Sequence, residues 1–259
     1  MRADTYTTIK VLMTGLVLAV LVNLPFYAWI FNKKWDWATG FPLGWLGAGM
    51  VYMATFFHEI GHTFFMWYYG YPTIPMFDFQ HGGGLALALS EQQVGIIIFV
   101  WAGFVFGIWY FRENLFMQIV LGLLLLLNFA TAFNRFHTVG MDFGGPAFEP
   151  LVAGFLLFRA IFDLAPRGIF ERFLNAFFGF GLIIQVFINA YGLIKSEAFR
   201  LVYYEQKGTH GFGDFDKIAQ TLFWDFQEVV MVWVVLAALC LVIPFLLPMF
   251  ISTNKIEEF

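Results

Sequence analysis

The sequence predicts an all-α polytopic integral membrane protein, with six to seven transmembrane helices and a glycine-rich re-entrant hairpin after the second. Composition is the first reason: 60% of the 259 residues are hydrophobic, 12% are charged, and the mean hydropathy is +0.74. A soluble domain carries about 25% charged residues because its surface faces water, so most of this surface must face lipid or other helices. The second reason is a series of apolar runs close to the roughly 20 residues that cross about 30 Å of hydrocarbon. The third is the break after the second run, where Tyr71-Pro72, Pro75 and His81-Gly82-Gly83-Gly84 cannot continue a helix.

Seven stretches are candidate spans: 11–31, 43–69, 94–111, 115–133, 147–164, 169–194 and 222–251. The first follows Arg2 and Lys10 and superficially resembles a signal peptide, but it exceeds an h-region of about 7–15 residues. It ends in Asn32-Lys33-Lys34 with no small-residue cleavage site, so it reads as a retained span. Arg159 and Asp163 interrupt the fifth; four apart on one helical face, they are expected to pair near the membrane surface. A half-span there reduces the count to six. Trp35, Trp37 and Trp45 suit an interfacial belt, Asn128, Gln185 and Asn189 suit hydrogen bonds between helices, and Asp225 and Glu228 suit a membrane boundary.

Most connections are short. The segment 70–91 is one exception; 195–221 is the other, an exposed loop collecting Lys, Glu, Asp, Gly and Tyr, with a short amphipathic helix around 196–206. There is no internal repeat, and residues 1–259 read as a single membrane domain. Basic residues divide nearly evenly between the two sides, so charge does not set the orientation. The net charge of −4 and the lack of a basic run argue against nucleic acid as a partner. The single cysteine, Cys240, excludes an internal disulfide and reads as a small packing residue. Thirty-six phenylalanines suit extensive lateral contact with membrane lipids and with other membrane subunits.

His58-Glu59-Ile60-Gly61-His62 is an H-E-x-x-H sequence inside the second span. Histidines four apart on a helix project from one face, one turn above the other, where both reach one metal ion. The glutamate between them lies close to that face, placed to take a proton from a water on the metal. Ionisable groups within a span are costly and usually functional; without a cation, the same residues would form a hydrogen-bonded polar cluster bridging helices. Zinc is the expected metal, since a catalytic zinc takes three nitrogen or oxygen ligands and keeps a fourth position for water. Ligand type alone also admits iron or manganese.

The third ligand must come from another helix, and the candidates are His81, His137, Asp142, Glu149 and His210. Asp142 leads because its surroundings, Gly140-Met141-Asp142-Phe143-Gly144-Gly145-Pro146, let backbone approach a crowded site closely. Topology agrees: His58 and His62 lie within about 10–18 Å of the end of their span at roughly 1.5 Å per residue, and the loop holding Asp142 emerges on that side. His137 is its rival.

These residues together resemble the site-2 protease family of zinc-dependent intramembrane metalloproteases, over about residues 50–145. His58-Glu59-Ile60-Gly61-His62-Thr63 matches the family's H-E-x-x-H helix. Gly70, Pro75-Met76-Phe77 and Gly82-Gly83-Gly84 resemble its glycine-rich hairpin. Its later N-x-x-P-x-x-P-L-D-G motif maps without gaps onto Asn134 to Phe143, with His137 and Gly140 at the proline positions, Met141-Asp142 for Leu-Asp, and Phe143 for the last glycine. The resemblance implies Zn2+ on His58, His62 and Asp142, Glu59 as general base and then proton donor to the leaving amine, and substrate positioning by Asn134, Gly82 and Gly83. It further implies substrates that are transmembrane segments, locally unwound so that a strand pairs with the hairpin. A bacterial cytoplasmic (inner) membrane location follows, with the zinc and the N-terminus towards the cytosol. The departures around Asp142 also fit a protease-like structural or regulatory subunit of a larger membrane complex. A di-iron hydroxylase or desaturase needs more than the five histidines present, and a transporter would show paired broken helices.

Overall fold

The computed structural model describes residues 5–31, 40–78, 83–206 and 212–250. The chain is mostly helical. In order come α1 (Thr5–Ile30), α2 (Leu43–Tyr68), a hairpin of β1 (Thr73–Asp78) and β2 (Gly83–Ala88), α3 (Val94–Tyr110), α4 (Leu115–Thr131), α5 (Phe136–Ile161), α6 (Ile169–Lys195), α7 (Glu197–Gln206), α8 (Asp214–Leu222) and α9 (Phe226–Phe250). Among the described residues three helices are long and apolar enough to cross a membrane: Thr5–Ala28, Ile169–Lys195 and Phe226–Pro248. α3 and α4, at 17 residues each, reach only about 25 Å at 1.5 Å per residue. α2 and α5, at 26 residues each, are long but carry the chain's polar centre.

α5 and α6 form the middle of the bundle, with α1, α2 and α9 packed around them. Two prolines shape α5. Pro150 has no N–H, so the carbonyl of Pro146 loses its helical partner; the buried Trp233 of α9 donates its indole N–H to that carbonyl at 2.6 Å. In α9, Pro244 likewise frees the Cys240 carbonyl, which packs over Gly154 of α5. The main apolar core joins Leu182, Val186 and Leu193 of α6 to Phe215 and Ile218 of α8 and to Val230 and Trp233 of α9.

The α3–α4 pair stands at the edge of the bundle and is tied to the end of α2 by polar contacts. Helix ends leave carbonyls without amide partners. Asn128 donates to Tyr68 O (2.7 Å) and accepts from Trp101 Nε1 (2.7 Å), while Gln92 donates to Tyr69 O (2.9 Å) and Ala132 O (2.8 Å). Gly70, at φ +86, ends α2 in the left-handed region that glycine tolerates. β1 and β2 then pair antiparallel from Thr73↔Ala88 to Asp78↔Gly83 and lie against α2.

Several expectations need revision. The segment 134–146 is not a loop: α5 begins at Phe136 and runs unbroken through Asp142 and the glycines. Within 195–221 the short helix expected around 196–206 is present as α7, but a second helix, α8, follows at Asp214 and buries Phe215, Ile218 and Ala219. Arg159 and Asp163 do not pair with each other. α5 ends at Ile161 and Asp163 turns to φ 57, leaving the helical face; Arg159 instead meets Glu171 and Asp163 meets the buried Arg172. Asn128 bridges helices as its composition suggested, whereas the buried Gln185 has no partner for its Nε2. Trp45 is exposed; Trp35, Trp37, His81, Gly82 and His210 lie outside the described residues.

Candidate metal centre

The site grows from a close crossing of α2 and α5. Gly61 and Gly144 meet backbone to backbone, and a Cβ on Gly144 would lie 3.0 Å from Gly61 O. That approach sets His58 and His62, on either side of Gly61, against Gly145. Each ring is fixed through its Nδ1. His62 Nδ1 lies 2.8 Å from Met141 O, and His58 Nδ1 lies 2.7 Å from Glu149 Oε1. Both partners are one turn or so from Gly145 on α5, so a single helix orients both rings.

The partners decide the tautomers. A carbonyl oxygen only accepts, so the hydrogen of neutral His62 is on Nδ1, and the Glu149 carboxylate asks the same of His58. Both Nε2 atoms are then lone-pair acceptors. They point at each other across 3.1 Å. Asp214 Oδ2, from the first turn of α8, completes a triangle at 3.2 Å from His58 Nε2 and 3.4 Å from His62 Nε2. Three electron pairs thus converge on one point with no hydrogen between them, an arrangement that repels itself unless a cation or added proton sits there.

The dimensions suit a metal ion. Bonds of about 2.0–2.1 Å at tetrahedral angles put neighbouring ligand atoms about 3.3 Å apart. The three observed edges match one face of such a tetrahedron, and His58, His62 and Asp214 form the single group of this kind among the described residues. The imidazoles are oriented by a carboxylate and a backbone carbonyl, the support that metal-ligating histidines ordinarily have.

The other expected residues fall around this group. Glu59 is buried and lies under β2: a Cβ on Gly84 would collide with its side chain and come within 2.9 Å of Oε1. Asp142 stands beside the group without joining it; its Oδ1 is 3.8 Å from Lys217 Nζ, which is also 3.9 Å from Asp214 Oδ1. His137 faces away, its Nε2 3.0 Å from the Tyr71 hydroxyl. Asn134 serves the α4–α5 turn, donating to Ala130 O at 2.7 Å and accepting from Phe136 N at 3.0 Å. Gly83 opens β2 with open space around it. Glu149, one of the candidate ligands, is a supporter of His58 instead.

Asp214 was missing from the sequence-derived candidates. Its signal was present: Phe215, Ile218, Ala219 and Leu222 follow the i, i+3, i+4, i+7 spacing of a helix that docks rather than floats. Tyr203 of α7 lies near it: burial first, then the Asp214 and Asp216 carboxylates, hold its phenol well above the ordinary range and so protonated. No protein-family model matches the chain, and no curated protein or solved structure does so either.

Proposed function

We propose that this chain is an intramembrane zinc metalloprotease that hydrolyses peptide bonds in or near transmembrane segments, in a bacterial cytoplasmic membrane. The observation that carries the reading is the convergence of His58 Nε2, His62 Nε2 and a carboxylate oxygen within 3.1–3.4 Å of one another beside a buried Glu59. In this reading α2 and α5 also span the bilayer with α1, α6 and α9, the α3–α4 pair fills out the count, and the β1–β2 hairpin is re-entrant.

A zinc ion held by the two histidines and an aspartate would supply Lewis acidity, polarising the scissile carbonyl and acidifying the attacking water. Glu59 takes the proton from that water and delivers it to the departing amine. Its burial under Gly84 shields the carboxylate from bulk water and places it next to the strand that substrate would join. A transmembrane helix hides its peptide bonds, so the substrate must unwind locally. The outer edge of the two-stranded hairpin offers backbone donors and acceptors to such an extended segment. Gly83 and Gly84, lacking side chains, let that segment come close.

The test is Glu59→Gln in the purified full-length chain, assayed on a single-pass membrane substrate with zinc content measured in parallel. Loss of a general base costs typically 10²–10⁴-fold in rate, so cleavage falls by that order while zinc stays bound. Equal cleavage by variant and unsubstituted protein refutes the proposal. Zinc binding without any cleavage by the unsubstituted chain favours the protease-like subunit of a larger assembly.

A further inference from the structure

We infer that the third metal ligand is Asp214, delivered by α8, and that the bound metal therefore latches α8 onto the α2–α5 crossing. The inference rests on the metal-site reading above but not on the reaction carried out there. It assigns a ligand from outside the stretch that resembles the protease family, and it makes the centre depend on the last third of the chain.

Two aspartates compete for the role, and the geometry separates them. Asp214 Oδ2 reaches both histidine Nε2 atoms, at 3.2 and 3.4 Å. Asp142 does not complete a ligand group with the histidines, and its Oδ1 faces the Lys217 ammonium instead. Lys217 stands between the two carboxylates, 3.8 Å from one and 3.9 Å from the other. Its charge lies on the Oδ1 side of Asp214, while Oδ2 faces the rings.

The architecture around Asp214 is built for docking. α8 buries Phe215, Ile218 and Ala219 against α5 and α9, and the Phe215 ring lies 5.1 Å from that of Trp233. Its first turn is closed by Asp216, whose Oδ2 accepts from Gly213 N at 3.0 Å. Gly213 admits the Tyr203 ring of α7 where any Cβ would collide with it. Asp214 thus sits at a defined point on a packed helix rather than on a wandering loop. The remaining tie across the crossing is polar: two imidazole nitrogens and a carboxylate oxygen that a shared cation would draw together.

The experiment is a zinc competition titration on the full-length protein in detergent, comparing Asp214→Asn and Asp142→Asn with the unsubstituted chain. Loss of a supporting partner already costs about 10–100-fold in metal affinity, so loss of the ligand in Asp214→Asn is expected to exceed about 100-fold. Asp142→Asn should stay within about tenfold, the small end of that supporting range. Hydrogen exchange gives the second readout: zinc slows exchange in residues 197–206 and 212–222 of the unsubstituted chain and of Asp142→Asn, and not of Asp214→Asn. Asparagine preserves the size of aspartate, and unchanged helix content and monodispersity establish that each variant folds. An equal loss in both variants, a loss confined to Asp142→Asn, or no loss in either overturns the assignment. If Asp214→Asn loses zinc while the unsubstituted chain binds zinc and cleaves nothing, the ligand assignment stands and the protease reading fails.

Discussion

Gly145→Ala tests the proposed metal centre without substituting a ligand. A Cβ on Gly145 would stand 2.8 Å from His58 Nε2 and closer still to His62 Nε2. A zinc ion must lie about 2.0–2.1 Å from both nitrogens, so methyl group and ion compete for the same few cubic ångströms. To admit the methyl, the rings must swing away from Met141 O and Glu149, and their lone pairs then diverge. Zinc affinity should fall by more than about 100-fold, beyond the 10–100-fold that loss of a supporting partner causes. Crowding a packed crossing also destabilises by about 1–3 kcal/mol, and that effect needs its own control. Gly154→Ala supplies one: on the same helix, its Cβ would press on Cys240 O at 2.9 Å and Cys240 Cβ at 3.1 Å, away from both histidines. A chelator competition titration with thermal unfolding on both variants separates the two effects. Both should lower the melting temperature, and Gly145→Ala alone should lose zinc. A Gly145→Ala protein that binds one zinc at the unsubstituted affinity refutes the geometry argued here.

Glu149→Gln keeps an acceptor for His58 Nδ1 at the 2.7 Å position but removes its charge; zinc affinity should fall by about 10–100-fold, measured by the same titration. Trp233→Phe keeps the apolar bulk and removes the donor to Pro146 O. The carbonyl left unpaired in the core should cost about 1–3 kcal/mol in detergent unfolding, with zinc affinity nearly unchanged.

Most of the helices were legible because lipid-facing and buried helices write long apolar runs. α6 and α9 appear within a few residues of their predicted limits. The first turns of α5 were not legible for a local reason. Gly140, Gly144 and Gly145 together with Pro146 signal a break when read alone, yet proline fits a helix wherever the freed carbonyl is satisfied or tolerated. Tight packing pays back the glycines: Gly61 against Gly144, and both histidines against Gly145, exist only because those side chains are missing. The same residues that weakened the helical signal are the ones that the crossing requires.

The candidate metal centre divides along similar lines. His58, Glu59 and His62 are legible because their relation is local, one turn of one helix. The carboxylate is not, because its position depends on how α8 docks, and α8 is read as an exposed loop if only charge is counted. Asp214 lies 156 residues from His58 in the chain, and nothing between them announces the pairing. What does announce it is an amphipathic pattern beside an acidic residue: a helix with a buried face carries its flanking polar groups to fixed places. Asp214 flanks such a face, so the spacing of Phe215, Ile218, Ala219 and Leu222 is the feature that brings its carboxylate into consideration.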